Sequence, residues 1–197
     1  TAFLSVGSKA AGFVILIRLV EPFLGSGQLN ANVTFVLAVI AGATILFGNL
    51  AALPQTNLKR LLAYSSISHA GFLLMAVASA PSRPGAITPV AAVSFYLAAY
   101  LLMTLLAFFT MNLVSVQRGG ESLDAYKGLA KTSPLLAFAM LVAMASLAGV
   151  PLTIGFVGKF MVFVLALQGG HYVMTACAVI GAGAGFYYYL KVVKSMY

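Results

Sequence analysis

Charge is scarce in this sequence: Asp, Glu, Lys and Arg together make up 7% of its 197 residues, where an average soluble domain carries about 25%. A chain so poor in charge cannot cover itself with polar surface, which excludes an ordinary soluble globular domain. Only three residues are acidic, and Glu21, Glu121 and Asp124 all fall in loops or at the ends of apolar runs. Cysteine is nearly absent. Cys177 stands alone in an apolar run, so neither a disulfide framework nor a cysteine metal site can be built, and it reads as a small packing residue. Also missing are a Gly-rich phosphate loop and a cysteine set for an iron–sulfur cluster, so the chain has no site for NADH, flavin or a cluster. The start shows no signal-peptide pattern, and no polar linker is long enough to set off a soluble domain. The net charge of +8 is spread singly or in pairs between apolar runs rather than clustered with aromatics, which argues against nucleic acid as a partner.

What the chain has in plenty is apolar residues, 62% of the total. Bounded by their Gly, Pro and charge punctuation, they form six candidate helices, roughly 2–20, 33–53, 61–80, 88–114, 134–167 and 172–192, most near the ~20 residues that cross a ~30 Å hydrocarbon core. Lipid cannot satisfy an exposed backbone amide, and the runs lack the alternation of a barrel strand, so helices are required. The expected fold is an all-α integral membrane protein forming a single transmembrane domain over 1–197. The chain opens at Thr1 inside what already reads as a helix, as a fragment of a longer polypeptide would. Taking alternate connections, one side carries Lys59, Arg60, Arg118, Lys127, Lys131, Lys191 and Lys194, and the other only Arg18 and Arg83. The positive-inside rule puts the 54–60 and 115–133 connections and the C-terminus in the cytoplasm, and leaves the loops around Pro22, Pro84 and Gly169 outside.

One run is too long. As a single helix, 134–167 would extend about 51 Å at 1.5 Å per residue, far beyond what a bilayer requires. Its stretch Ser146-Leu147-Ala148-Gly149-Val150-Pro151 supplies a break, because Pro151 removes a backbone donor and Gly149 loosens the preceding turn. A discontinuous helix at membrane depth frees polar backbone groups that must line a cavity or meet buried partners. The plainer alternative is a long, tilted, Pro-kinked helix.

Two lysines stand where the cost is high. Lys9 lies in Gly7-Ser8-Lys9-Ala10-Ala11-Gly12 and Lys159 in Gly155-Phe156-Val157-Gly158-Lys159-Phe160; a central lysine costs roughly 2.5–3.5 kcal/mol on insertion scales. Small flanking residues favour close helix packing over lipid exposure. A buried amine without a fixed counter-ion can accept and release a proton; snorkelling to an interface is the alternative. His69 lies in Tyr64-Ser65-Ser66-Ile67-Ser68-His69-Ala70-Gly71. Ser65 and His69 share a helix face at i and i+4, with Ser66 and Ser68 adjacent, a hydroxyl-and-imidazole row able to order water for proton hopping or simply to bond a neighbouring helix. His171, at a loop edge beside Gly169 and Gly170, receives no role.

Two long stretches carry a family resemblance. Gly48-Asn49-Leu50-Ala51-Ala52-Leu53-Pro54-Gln55-Thr56-Asn57-Leu58-Lys59-Arg60-Leu61-Leu62-Ala63-Tyr64-Ser65-Ser66-Ile67-Ser68-His69-Ala70-Gly71 is similar to the signature of the antiporter-like membrane subunits of bacterial NADH-quinone oxidoreductase (respiratory complex I). Ser146 through Phe160 resembles their broken-helix motif. Order and separation also fit, and the likeness runs over essentially the whole chain to Tyr187-Tyr188-Tyr189-Leu190-Lys191. The preceding Gly-Asn, the Ser-Ile-Ser-His form and a Lys rather than Glu in the broken helix favour the subunit N branch.

The resemblance implies one helix plus the second inverted five-helix repeat of a fourteen-helix subunit. It implies proton-transfer roles for Lys9, His69 and Lys159 and a cytoplasmic-side lysine at Lys59, for which a positive-inside anchor is the plainer reading. It places FMN, iron–sulfur clusters and quinone in partner subunits, and implies as neighbours the other antiporter-like and small membrane subunits and lipid, in the bacterial inner membrane. The family's intramembrane glutamate–lysine pair has no counterpart in these residues. A subunit of a multisubunit cation/proton antiporter shares the motifs, and a purely structural membrane scaffold also remains open.

Overall fold

The computed structural model describes residues 2–24, 27–79 and 87–197, with the side chains of all but 2–5, 24 and 27–29. Arg83 and Pro84 of the expected outer loop lie outside the described residues. Each apolar run forms helix: α1 (Ala2–Leu24), α2 (Gly27–Ala52), α3 (Leu58–Ala78), α4 (Pro89–Arg118), a short α5 (Leu129–Thr132), α6 (Pro134–Ala148), α7 (Ile154–Gln168) and α8 (Tyr172–Met196). No strand forms among the described residues; Asn57 and Ser122 make an isolated bridge. Four stretches, Asn30–Ala52, Leu58–Ala78, Pro89–Arg118 and Tyr172–Met196, are long and apolar enough to span a membrane. Phe35, Phe47, Phe109 and Phe138 point outward from the bundle, the reverse of a soluble domain and the arrangement lipid favours. The chain is a multi-pass membrane protein.

Boundaries differ from the sequence reading for local reasons. α3 starts at Leu58, before the charged pair Lys59-Arg60, because the Asn57 side chain accepts the Arg60 N–H at 3.1 Å and caps the helix. α1 runs through Pro22 to Leu24, so Pro22 sits in the last turn of a helix and not in a loop; a proline there removes a single donor. The chain from Gly119 to Ser133 is not a plain connection. It holds a 3-10 turn over Leu123–Tyr126 as well as α5.

α2 packs most extensively on α3, and two glycines set the spacing. A Cβ on Gly48 would lie 2.5 Å from the Ser68 backbone nitrogen, and one on Gly71 2.7 Å from Ile45 Cγ1; only hydrogen lets the two backbones approach this closely. At one end of the bundle the 119–133 segment is tied down. Leu58 N–H donates to the Glu121 carbonyl at 2.9 Å and Leu123 N–H to the Thr56 carbonyl at 2.8 Å. The Arg118 guanidinium donates to the carbonyls of Ala125 (3.0 Å) and Lys127 (2.9 Å) and to the Thr132 hydroxyl. Lys59 pairs with Glu121 at 3.0 Å, and Lys191 reaches the Gln55 carbonyl at 3.4 Å. Lys59, Arg118, Lys127 and Lys191 therefore gather at one end of the molecule, as the loop count requires.

The Lys59–Glu121 pair is 53% and 35% exposed at its two side chains, so solvent screening limits its worth to about 0–1 kcal/mol. Glu121→Gln is accordingly expected to shift the thermal unfolding of the purified protein only slightly; a loss of several degrees would show that the tie matters more than its exposure allows.

Candidate functional site

The site begins with the end of α6. A helix leaves its last four carbonyls without intrahelical partners, here those of Ala145, Ser146, Leu147 and Ala148. Gly149 adopts φ +85°, a left-handed conformation glycine takes at little cost. It turns the chain so that Gly149 N–H donates to the Ser146 carbonyl at 3.1 Å and Val150 N–H to the Ala145 carbonyl at 3.0 Å, the two bonds of a Schellman ending. Lys159 completes the set: its Nζ donates to the Leu147 carbonyl at 2.9 Å and to the Ala148 carbonyl at 2.8 Å.

Pro151 and Leu152 carry the chain across the break, Leu152 at φ +75° with its side chain fully exposed. Thr153 then caps α7, accepting the Phe156 N–H at 3.3 Å. The break expected between Ser146 and Thr153 is there, and its freed carbonyls face the second lysine. Lys159 is 7% exposed, and its Nζ stands 5.4 Å from the centre of the Phe72 ring, within cation–π range. The only ion pairs among the described residues are those of Lys59 and Lys127. Backbone dipoles at a helix C-terminus, the negative end of α6, take the place of a counter-ion.

His69 lies at the centre, 3% exposed. Both ring nitrogens are engaged: Nδ1 with the Tyr96 hydroxyl at 2.8 Å and Nε2 with the Tyr189 hydroxyl at 3.2 Å. Tyr189 also hydrogen-bonds the Ser65 hydroxyl. The Tyr100 ring stacks at a tilt on the imidazole, centroids 4.7 Å apart. Lys9 also stands by Tyr100: its Nζ lies 5.4 Å from that ring's centre and donates to the Ser66 carbonyl at 2.6 Å. Ser68 turns away from this group and accepts from Asn49 Nδ2 at 2.5 Å, while Tyr188 donates to Asn49 Oδ1 at 3.0 Å. Asn49 thus ties α2, α3 and α8 together.

The structure buries His69 and Lys159, on α3 and α7, and leaves Lys9 part-buried on α1, with no direct hydrogen bond among the three. Lys59 is elsewhere, half-exposed at the basic end, where it lines the mouth of a cavity that Ser65 and Ser66 line further in. Of the sequence-derived hydroxyls, Ser65 joins the histidine group and Ser68 serves α2–α3 packing. His171 stands at the start of α8, half-buried, with burial pushing its pKa below the usual value.

Sequence reading missed four aromatic partners: Tyr96, Tyr100, Tyr188 and Tyr189. A signal existed. Tyr96, Tyr100 and Thr104 stand at successive i+4 positions of one helix, a polar stripe in an apolar span, and a buried tyrosine hydroxyl needs a partner.

Comparison with known proteins places this geometry. The NADH:quinone oxidoreductase/Mrp antiporter transmembrane family matches residues 1–185. NADH-quinone oxidoreductase subunit N 1 of Opitutus terrae (strain DSM 11246 / JCM 15787 / PB90-1) is 47% identical over the whole chain, which covers 38% of that protein. Subunit N 2 of Sorangium cellulosum (strain So ce56) is 42% identical over the whole chain, which covers 40% of it. The chain therefore spans about two fifths of the length of these relatives. Among solved structures, respiratory complex I from Thermus thermophilus with bound aureothin contains a chain that matches at TM-score 0.68 and 36% identity, over 82% of this chain and 36% of that one. The Mrp complex from Dietzia sp. DQ12-45-1b contains one that matches at TM-score 0.76 and 30% identity, over 83% and 30%. With its broken helix, its buried Lys159 and this set of relatives, the chain belongs to the NADH:quinone oxidoreductase/Mrp antiporter transmembrane family.

Proposed function

We propose that this chain is part of a proton-translocating subunit N of a bacterial NADH-quinone oxidoreductase, relaying protons along Lys9, His69 and Lys159 with intervening water and hydroxyls. The observation that carries the reading is a buried Lys159 and a buried His69 with a part-buried Lys9, none of the three with a carboxylate partner. Such groups are costly unless they work, and amines and an imidazole that exchange protons give that work a chemistry. Energy comes from redox chemistry in partner subunits, which hold FMN, the iron–sulfur clusters and the quinone. The neighbours in the membrane are the other antiporter-like and small membrane subunits and lipid. Purified with its native assembly, the subunit should bring flavin and iron–sulfur proteins with it.

The TM-score of 0.76 to the Mrp complex, against 0.68 to complex I, favours a second reading, a cation/proton antiporter subunit driven by an ion gradient. Isolation with membrane subunits only, and transport that responds to a sodium gradient without NADH, would decide for it. A scaffold without transport predicts that apolar residues replace both buried lysines freely.

Orientation has its own test. With the basic end in the cytoplasm, a cysteine replacing Lys127 in a Cys177→Ser background should react with a membrane-impermeant thiol reagent in inverted vesicles and not in intact cells. The opposite pattern would put the basic end outside and overturn this orientation.

A further inference from the structure

We infer that protons have a second inlet, a water-holding cavity that begins beside Lys59 and feeds His69 through Ser65 and Tyr189 without passing Lys9. The inference rests on the reading of His69 as part of a proton path. A cavity of about 200 Å³ lies between α3, α4 and the end of α6, lined by Lys59, Ser65, Ser66, Tyr100, Thr104 and Leu147 among others. Since one water needs roughly 10–15 Å³ of such space, it has room for several. Lys59 at its mouth is half-exposed. Ser65 lies six residues further along α3, about 9 Å at 1.5 Å per residue.

Thr104 is the reason to place water in this space. Its side chain is 4% exposed, yet Oγ1 makes no well-formed hydrogen bond within the protein, the Tyr100 hydroxyl being a neighbour that falls short of bonding geometry. Threonines on an apolar helix usually bond back to the carbonyl one turn earlier. Thr110, on the same helix, does so to Leu106 at 2.8 Å, and Thr104 does not. A buried hydroxyl left unpaired costs about 1–3 kcal/mol, and a water in the cavity it lines removes that cost.

From the cavity inward the hydrogen bonds are continuous: Ser65 to Tyr189, Tyr189 to His69 Nε2, His69 Nδ1 to Tyr96. The Tyr96 ring packs on Gly158, where an added Cβ would lie 3.1 Å from Cδ2, beside Lys159 in the chain. One transfer balances with every group between its two ends returning to neutral. A hydronium in the cavity gives its excess proton to Ser65 Oγ, and is left as water, as Ser65 passes its own to Tyr189 Oη and Tyr189 passes its own to Nε2. Nδ1–H then passes to Tyr96 Oη, which releases its proton toward a neutral Lys159 amine, and that amine takes up the charge. Hydroxyl rotation and return of the imidazole to its first tautomer reset the row. Lys9, bonded to a backbone carbonyl and making no hydrogen bond to any member of this row, is no link in it.

The test is proton pumping by the full-length subunit in its assembled, reconstituted complex, with Thr104→Val, Lys9→Met and both together. Thr104→Val keeps shape and removes a hydroxyl that bonds no protein group, so a packing role predicts no loss. A second inlet predicts that each single variant pumps several-fold slower than wild type, that the double variant falls to background, and that Thr104→Ser restores the Thr104→Val loss. Tyr189→Phe, which cuts the row further in, should behave as Thr104→Val does. If Thr104→Val and Tyr189→Phe pump as wild type and the double variant equals Lys9→Met, the inlet does not exist. Lys159→Met separates this from failure of the underlying reading: pumping that survives that change removes the relay altogether, whereas a relay that fails with Lys159→Met but ignores Thr104 and Tyr189 removes the inlet alone.

Discussion

Proton pumping should fall by roughly a hundredfold, the lower end of what a positioned proton-transfer group contributes, when Lys159→Met is introduced into the full-length subunit and the complex is assembled and reconstituted. Methionine fills the same space without a titratable group. It also leaves the Leu147 and Ala148 carbonyls, now held by Lys159 at 2.9 and 2.8 Å, without partners, at about 1–3 kcal/mol for each buried group so stranded. A stability defect is therefore part of the expected result. Lys159→Arg separates the two effects. Arginine can still donate to the carbonyls but does not give up its proton, so it should preserve assembly better than methionine and arrest pumping equally. Lys194, in the last turn of α8 and exposed, is the control, and Lys194→Met should leave both properties near wild type. Normal pumping by an assembled Lys159→Arg complex would remove Lys159 from the relay.

Gly155→Ala should be the most damaging of the small substitutions. Gly155 lies at the start of α7, its N–H 3.3 Å from the Ser146 hydroxyl, and an added Cβ would fall on the Ser146 carbonyl. Backbone cannot step aside as a side chain can, so α7 must draw away from α6, and overpacking of this kind costs about 1–3 kcal/mol. The same shift pulls Lys159 off its carbonyls. Thermal denaturation of the detergent-purified protein should show the loss, and transport should fall with it. In α8, Gly183 has nothing within 4 Å of an added Cβ, and Gly183→Ala is expected to be neutral or slightly stabilising, as alanine usually is in a helix. Equal stability of the two variants would mean that the α6–α7 contact is looser than its geometry.

How much of this was legible beforehand follows from the range of each interaction. The broken helix could be read because excess length and Pro151 are local facts. The burial of Lys159 could be read because a charge within twenty apolar residues is conspicuous whatever surrounds it, whereas Lys9 is only part-buried. What holds Lys159 could not. Its partners are carbonyls 11 and 12 residues away, carried by every residue and so without a signature. The setting of His69 was hidden for another reason: Tyr189, 120 residues distant, meets it only through the packing of α8 on α3. Lys59 was given two readings, and the structure gives it an exposed ion pair that suits an anchor together with a place at a cavity mouth. Pro22 misled because proline marks a boundary only on average, and α1 tolerates it in its final turn.

The way Lys159 is held bears on how distant events reach it. A carboxylate partner can be switched off by a proton of its own; a pair of peptide carbonyls cannot, since their dipoles are fixed by covalent structure. The field at the amine then depends on where α6 ends relative to α7, and that position is set by a bend from Gly149 to Thr153 containing a left-handed leucine. At these separations, a slide of an ångström between the two half-helices changes the electrical work of adding a proton there. On the proposed relay the break would act as a transducer: force arriving along a helix becomes proton affinity at a single nitrogen, with no ion or ligand travelling between the two.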